Sequence, residues 1–267
     1  MEQQNLASLL PHVAVQLRHA LSNLYMASAA LAPAEKREQD EELDLRAARM
    51  DQSFYQILRL VNQLSAAVYL TNDEPLPQRA CDIGDLIGDL CAAAESLAAF
   101  RGLEFSFRNE LGHHVCALAA DATEQLVYNL LSNAFKFTPA GGRVEVVLEK
   151  RGKNIHLTVT DTGCGMSAEQ REQLFDTYLY PDPSRPRTHG MGLGLALCQR
   201  FARGQGGNLL ATSTLGEGSS FTLSLPDREV EAVLRDVPVD YSGGFNRSLL
   251  GLADALPAAA FRIREQS

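Results

Sequence analysis

The stretch Glu124 to Pro139, EQLVYNLLSNAFKFTP, decides how the rest of the chain is read. It reads as the greater part of a helix running from about Asp121 to Phe137. On a helix Asn129 and Asn133 lie four residues apart and share a face, with Lys136 and Phe137 about one turn further on. Two amide oxygens and a lysine suit a magnesium-bound triphosphate: hard oxygen ligands hold the partly hydrated cation, and the ammonium group neutralises phosphate charge. A bare NxxxN spacing is common in surface helices, so its weight depends on the neighbouring segments.

Working outward, DTGCGM at 161–166 directly follows a strand ending at Thr160. A carboxylate at a strand end can accept an adenine amino hydrogen. Gly163 and Gly165 let the backbone approach a ring and take positive φ at low cost. The segment LFDTYLYPDPSRPRTHGMGLGLAL, at 174–197, begins as a loop crowded with Asp, Pro, Ser and Arg and ends as glycines opening a helix. Backbone N–H groups at such a helix start, together with its dipole, bind phosphate. The spacing is not that of a Walker-type loop, because GxxxxGK[ST] is absent. STLGEGSSFTLSLP, at 213–226, reads as a glycine turn feeding a final strand.

The remaining pattern between about 80 and 226 is mixed α/β. Asp82 can cap a helix reaching about Phe100, and short strands follow near Leu103–Arg108 and His114–Leu118. Period-two alternation marks two more strands, through Val144, Val146 and Leu148 and through Ile155, Leu157 and Val159. A helix near Gly192–Arg203 and two strands, Asn208–Ser213 and Ser219–Leu225, complete one layer of helices over a mixed sheet.

The first third differs. Leu6, Leu10, Val13, Leu17, Ala20, Leu24, Ala27 and Leu31 step by four and three, and the rhythm returns at Leu43, Ala47, Met50, Phe54, Ile57, Val61, Leu64 and Val68. A period near 3.5 residues predicts two helices with coiled-coil-like seams, and the short link at 33–41 predicts an antiparallel hairpin. One hairpin hides both stripes poorly, so two copies are expected to pair as a four-helix dimer. A polar stretch, Thr71 to Arg79, reads as a linker. From Asp227 to the end, a turn and one short amphipathic helix are expected, with no assigned role.

Taken in order, the four segments resemble the ATP-binding domain of the histidine kinase, gyrase, Hsp90 and MutL superfamily. NLLSNAFKFTP is similar to the N box of sensor histidine kinases, DTGCGM to their G1 box, LFDTY to their F box and GMGLGL to their G2 box. The resemblance implies an α/β-sandwich ATP-binding domain over 80–226, a dimerisation and phosphoacceptor hairpin over 1–72, and a tail over 227–267. It implies that Asn133, with Asn129, holds Mg²⁺ and that Lys136 contacts phosphate. Phe137 would pack on adenine and Asp161 would bond its amino group. Gly163, Gly165, Gly190, Gly192 and Gly194 would shape the pocket, and 176–189 would form a lid. The implied cofactors are ATP and Mg²⁺, and the implied partners are a second copy of the chain and a response regulator.

One departure stands out. The family's phosphoacceptor motif, HExxTPL or a close variant, is best matched by VQLRHAL at 15–21. Val15 stands where the phosphorylated histidine is expected, Gln16 replaces the acidic neighbour, and His19 replaces Thr or Asn. The seam sets Val15 at the solvent-facing position of the heptad. His12 and His19, seven residues apart, are about 20° apart on one face, so both are candidate acceptors. Neither is followed by an acidic residue: Val13 follows His12 and Ala20 follows His19. A base beside the nucleophile normally activates it.

Composition sets the outer limits. Of 267 residues, 45% are hydrophobic and 21% charged, enough for a buried core, and the net charge is −9. That charge opposes sequence-independent nucleic-acid binding, which needs a basic surface. No apolar run approaches the roughly 20 residues of a membrane span, and the N-terminus lacks a signal-peptide pattern, so a cytoplasmic protein is expected. Five scattered cysteines show neither CxxC nor zinc spacing, and are expected to be reduced packing residues. Three functions fit: a histidine kinase, a divergent ATP-binding regulatory module without autophosphorylation, and a serine kinase of the anti-sigma-factor type. The long hairpin counts against the third.

Overall fold

In the computed structural model, residues 2–66, 75–174, 192–228, 242 and 244–263 are described, with side chains from His12 onward. Two long helices, α1 (Glu2–Leu31) and α3 (Glu41–Ala66), form the hairpin. Arg18 donates to Asn62 at 2.9 Å, and Tyr25 packs on Phe54 with ring centroids 4.5 Å apart, so the helices run antiparallel. The link between them is not plain coil. It holds a short helix, α2 (Ala34–Gln39), opened by Pro33. Asp40 then accepts the N–H groups of Glu42 and Leu43, both at 3.0 Å, which satisfies orphan donors at the start of α3.

On α3 the expected stripe divides between two faces, with Ala47, Phe54 and Val61 buried. On α1 the expectation is corrected: among the residues described from His12 onward, the apolar side chains buried in the hairpin are Ala14 and Leu21, which lie outside the expected stripe. Val13, Leu17, Leu24, Leu31, Met50 and Ile57 stay exposed. Within one chain the hairpin therefore leaves a row of large apolar side chains uncovered. For the same reason Val15, 43% exposed, does not stand out from Val13 at 47% or Leu17 at 42%.

Beyond the hairpin, strand β1 (Arg79–Asp82), which falls at the end of the expected linker, pairs antiparallel with β3 (Val115–Leu118). Between them run α4 (Ile83–Ala98) and β2 (Glu104–Asn109). Asp82 caps α4 by accepting from Asp85 N–H. The main sheet adds β4 (Arg143–Arg151), β5 (Asn154–Asp161), β6 (Asn208–Thr214) and β7 (Gly218–Pro226), in the order β2-β4-β5-β7-β6. Among the described strands, only β2 and β4 are parallel. They are joined by a crossover containing α5 (Ala120–Phe137), as a parallel pair requires. The two consecutive strands β2 and β3 thus go to different sheets.

Alternation sets what each sheet face buries. Val144, Val146, Leu148, Ile155, Leu157, Val159, Phe221, Leu223 and Leu225 point into the core under α4, α5 and α7 (Leu193–Gly204), while the short α6 (Ala168–Glu172) follows β5. The other face carries hydroxyl pairs, Thr158 with Thr222 at 3.1 Å and Thr160 with Ser220 at 3.0 Å. Cys91, Cys116 and Cys198 are buried free thiols whose pKa values burial pushes up to about 12, so they pack rather than react.

The C-terminal segment packs on both parts. Helix α8 (Arg247–Leu252) contacts α5 and α3, and a single 3₁₀ turn, Ala258–Phe261, contacts α3. Leu249, Leu250, Leu252, Leu256 and Phe261 are buried, each contributing about 1.5–3 kcal/mol by leaving water. Gly251 lies against Tyr128, where an added Cβ would be 2.3 Å from the ring. Phe245 joins Tyr25, Phe54 and Tyr55 in one aromatic cluster. Buried Arg37 is held by Asp44 at 3.0 Å, Asp51 at 2.8 Å and the Phe261 carbonyl at 3.1 Å, the full pairing that a buried charge demands.

Candidate nucleotide site

One cavity of about 410 Å³ opens between the N-terminal end of α7, the C-terminal half of α5 and the loop after β5, within the 300–1,000 Å³ common for small-molecule sites. Asn129, Asn133, Lys136, Phe137, Asp161, Gly165, Gly192 and Gly194 all line it. Residues far apart in sequence thus converge because α5 and α7 pack side by side over the end of β5.

Asp161 is the last residue of β5 and is only 6% exposed. Burial raises its pKa, opposed by hydrogen bonds from the Gly163 and Ser219 backbone; the Gly163 N–H donates to Oδ1 at 2.8 Å. The neighbouring glycines answer to the protein's own backbone. A Cβ at Gly163 would sit 2.5 Å from the Phe137 carbonyl oxygen and 2.7 Å from Asp161 Oδ1. Gly165 has φ +62°, and a Cβ there would sit 1.9 Å from the Thr214 carbonyl oxygen. The loop is pinned by Cys164 N–H donating to the Phe137 carbonyl and Met166 N–H donating to Ser213 Oγ. Short side chains are needed to bring the end of α5, the end of β5 and the β6–β7 turn together.

Across the cavity, Gly192 caps α7 in a left-handed conformation, φ 75°. Its helix therefore starts beside Asn129, whose Oδ1 is 3.6 Å from the Cβ position of Gly194. Lys136 Nζ lies 5.7 Å from the centroid of the half-exposed Phe137 ring. Burial lowers the Lys136 pKa, with Asp254 acting against that and Arg59 adding to it. Gly190, the rest of LFDTY after Leu174 and the expected lid at 176–189 lie outside the described residues; Leu174 itself lines the cavity.

Several lining residues carry no sequence signal. Arg59 and Gln63 come from α3 of the hairpin and Asp254 from the segment after α8. Arg59 Nη2 donates to Asn129 Oδ1 at 3.0 Å, and its Nε is 3.3 Å from Asp254 Oδ2. An isolated arginine on a helix and an aspartate in an unassigned tail cannot be connected to a site by pattern. His12, Val15 and His19 are exposed on α1 and do not line the cavity. The Arg18–Asn62 bond nevertheless sets this part of α1 beside the turn of α3 that bears Arg59 and Gln63.

Comparison with known proteins bears on this site. Residues 119–229 match the family described as histidine kinase-, DNA gyrase B- and HSP90-like ATPase. The chain is 36% identical over 149 residues to the sensor histidine kinase RppB of Synechocystis sp., covering 55% of this chain and 33% of that protein. It is 40% identical over 102 residues to the sensor-like histidine kinase SenX3 of Mycolicibacterium smegmatis, covering 38% of this chain and 27% of that one. The chain spans a third or less of the length of these relatives. Among solved structures, full-length ShkA in complex with AMPPNP superposes with a TM-score of 0.65 at 24% identity, over 87% of this chain and 48% of that one. That likeness shows the fold, a helical N-terminal region followed by a mixed α/β domain. No described helix is long and apolar enough to cross a membrane.

Proposed function

We propose, on the premise that this chain carries the ATPase domain of the histidine kinase, gyrase B and Hsp90-like family and is related to sensor histidine kinases, that it binds Mg-ATP in the 410 Å³ cavity and acts as a protein histidine kinase. The observation that carries this reading is the convergence of Asn129, Asn133, Lys136 and Asp161 on that cavity. The donor set suits the ligand. Amide oxygens of Asn133 and Asn129 are the hard ligands Mg²⁺ takes, and the ion would neutralise β- and γ-phosphate charge. Lys136 faces phosphate, Asp161 accepts the adenine amino hydrogen, and the start of α7 offers N–H groups to the phosphates. The AMPPNP complex of ShkA supports a nucleotide ligand for this fold.

In the transfer step an imidazole nitrogen attacks the γ-phosphorus. The bond to the β–γ bridging oxygen breaks, ADP leaves with that electron pair, and the other ring nitrogen releases its proton to water. His19 is the favoured acceptor and His12 the second. His19 adjoins Arg18, which is bonded to Asn62 next to the cavity residue Gln63, whereas His12 is seven residues or about 10 Å further along the helix. The phosphoryl group then passes to an aspartate of a response regulator. The exposed stripe of Val13, Leu17, Leu24, Leu31, Met50 and Ile57 supports pairing with a second copy, since its burial would add the apolar contact one hairpin lacks. A chain with these partners belongs in the cytoplasm.

A second reading is a regulatory module that binds ATP without autophosphorylation. Val15 at the expected acceptor position favours it. Incubation with γ-labelled ATP and Mg²⁺ separates the two. Acid-labile label that disappears in His19→Ala or His12→Ala supports the kinase; nucleotide binding with no label overturns it in favour of the module.

A further inference from the structure

The nucleotide cavity takes one of its cations from the hairpin. Arg59 sits on α3, is 7% exposed, and reaches Asn129 Oδ1 at 3.0 Å. Asp254 holds it from the other side at 3.3 Å, and both residues line the cavity with Lys136. Asp254 is delivered there by the C-terminal segment, which is fastened to both parts of the molecule. Arg247 pairs with Glu124 at 2.8 Å and Ser248 shares a hydrogen bond with Tyr128 at 2.8 Å on the α5 side. Gln52 and Gln56 on α3 donate to the carbonyls of Leu256 at 2.8 Å and Ala253 at 3.3 Å.

This arrangement is awkward for a site that only stores structure. A guanidinium and an ammonium are brought into one partly dry cavity, so each disfavours the other's charge; the depressed pKa of Lys136 reflects burial first and Arg59 in addition. Asp254 offsets that repulsion. It also puts a carboxylate where an anionic ligand with several phosphate oxygens would fit. A planar guanidinium binds phosphate oxygens in a fork, and the same donors here are held by an amide oxygen and a carboxylate.

We propose that Arg59 is a phosphate-binding residue supplied by the hairpin, and that Asp254 is its internal competitor. Without nucleotide, Arg59 rests between Asn129 and Asp254. With Mg-ATP, it swings onto the phosphates, frees Asn129 for the cation, and leaves Asp254 behind. Occupancy of the pocket is then felt directly by α3 and by the C-terminal segment. The inference rests on the nucleotide-binding reading above.

The test is calorimetric titration of the full chain with Mg-ATP, Mg-ADP and adenosine. Arg59→Ala is expected to weaken Mg-ATP about tenfold or more, the scale of one charge-assisted contact, with adenosine unchanged. Asp254→Asn is expected to tighten Mg-ATP several-fold, and that gain should shrink in the Arg59→Ala background. If Arg59→Ala binds Mg-ATP as tightly as the parent or more tightly, Arg59 is only a tether and the proposal is overturned. If Arg59→Ala does not fold, Asp254→Asn decides alone: tighter Mg-ATP with unchanged adenosine supports the proposal, and unchanged Mg-ATP overturns it. Failure of the parent chain to bind any of the three ligands would instead sink the nucleotide-binding reading itself.

Discussion

The nucleotide pocket and the outer face of the hairpin are specified to very different degrees. Around the pocket, the loop after β5 is held by close neighbours: Gly163 by the Phe137 carbonyl, Gly165 by Thr214, Asp161 by the Gly163 N–H. On the hairpin, Val15 and His19 point to solvent, and Val15 has no more exposure to distinguish it than the apolar residues on either side. A site built on close backbone approach tolerates little change. A site built on one exposed side chain can lose its chemistry without cost to the fold.

That contrast can be broken most directly by stability. Gly165→Ala should lower the unfolding free energy by about 3 kcal/mol or more, since it adds a left-handed penalty of about 1–2 kcal/mol to a severe contact with the Thr214 carbonyl. Val15→Ala should stay within about 0.5 kcal/mol. Urea titrations of the two variants that gave equal losses would show that the hairpin face is as constrained as the pocket. Binding comes next. Asn133→Ala should weaken Mg-ATP by about a hundredfold, or roughly 2.7 kcal/mol, measured by calorimetry, while its melting temperature without nucleotide changes little because Asn133 is only partly buried.

Restoring the expected acceptor sharpens the comparison further. If the pocket is intact and only the acceptor has moved, Val15→His in a His19→Ala background should regain acid-labile label at least about tenfold over His19→Ala alone, about 1.4 kcal/mol in the barrier. Unchanged labelling would mean that the pocket does not address this level of the helix.

The smallest effect is one of sign. Asp161, raised by burial, is easier to protonate folded than unfolded. Its contribution to stability is therefore fullest below the unfolded value of 3.8 and is lost as pH rises through the raised pKa. Asp44 is also buried, which by itself would raise its pKa, but hydrogen bonds from Arg262, Arg37 and the Ile263 backbone hold it below 3.8. Its contribution is present above 3.8 and is lost as pH falls through the lowered pKa. At neutral pH, Asp161→Asn should thus raise the melting temperature of the nucleotide-free protein and Asp44→Asn should lower it. In a pH series of thermal melts, an unchanged or raised melting temperature for Asp44→Asn would contradict the pairing of Asp44 with Arg262 and Arg37, and a lowered one for Asp161→Asn would contradict the burial cost assigned to Asp161.

Much of the α/β part was legible because its signals are local. Alternation through Val144–Leu148 and Ile155–Val159 marked strands that do bury those residues, and the glycine run marked the start of α7 at Leu193. The helical seam was legible as a period but not as a partition. The α1 seam of Val13, Leu17 and Leu24 turned out to be the exposed face, and only packing against α3 shows that Ala14 and Leu21, outside that rhythm, are the ones facing inward. Strand β1 carries no signal of its own, because four residues, RACD, are too few for periodicity to speak; only its first residue, Arg79, overlaps the expected linker.

By itself the sequence determined most of the longer elements and the order of the four motif segments, since helix faces, strand alternation and glycine turns are set by residues within a few positions of one another. Only the tertiary structure decided that Arg59 and Asp254 enter the pocket with them, and that the final segment joins the hairpin to α5. Those contacts join residues about 70 and about 200 positions apart. They exist because the apolar residues of α8 are buried against α5 and α3 together, and no local pattern encodes which two distant surfaces will share that burial.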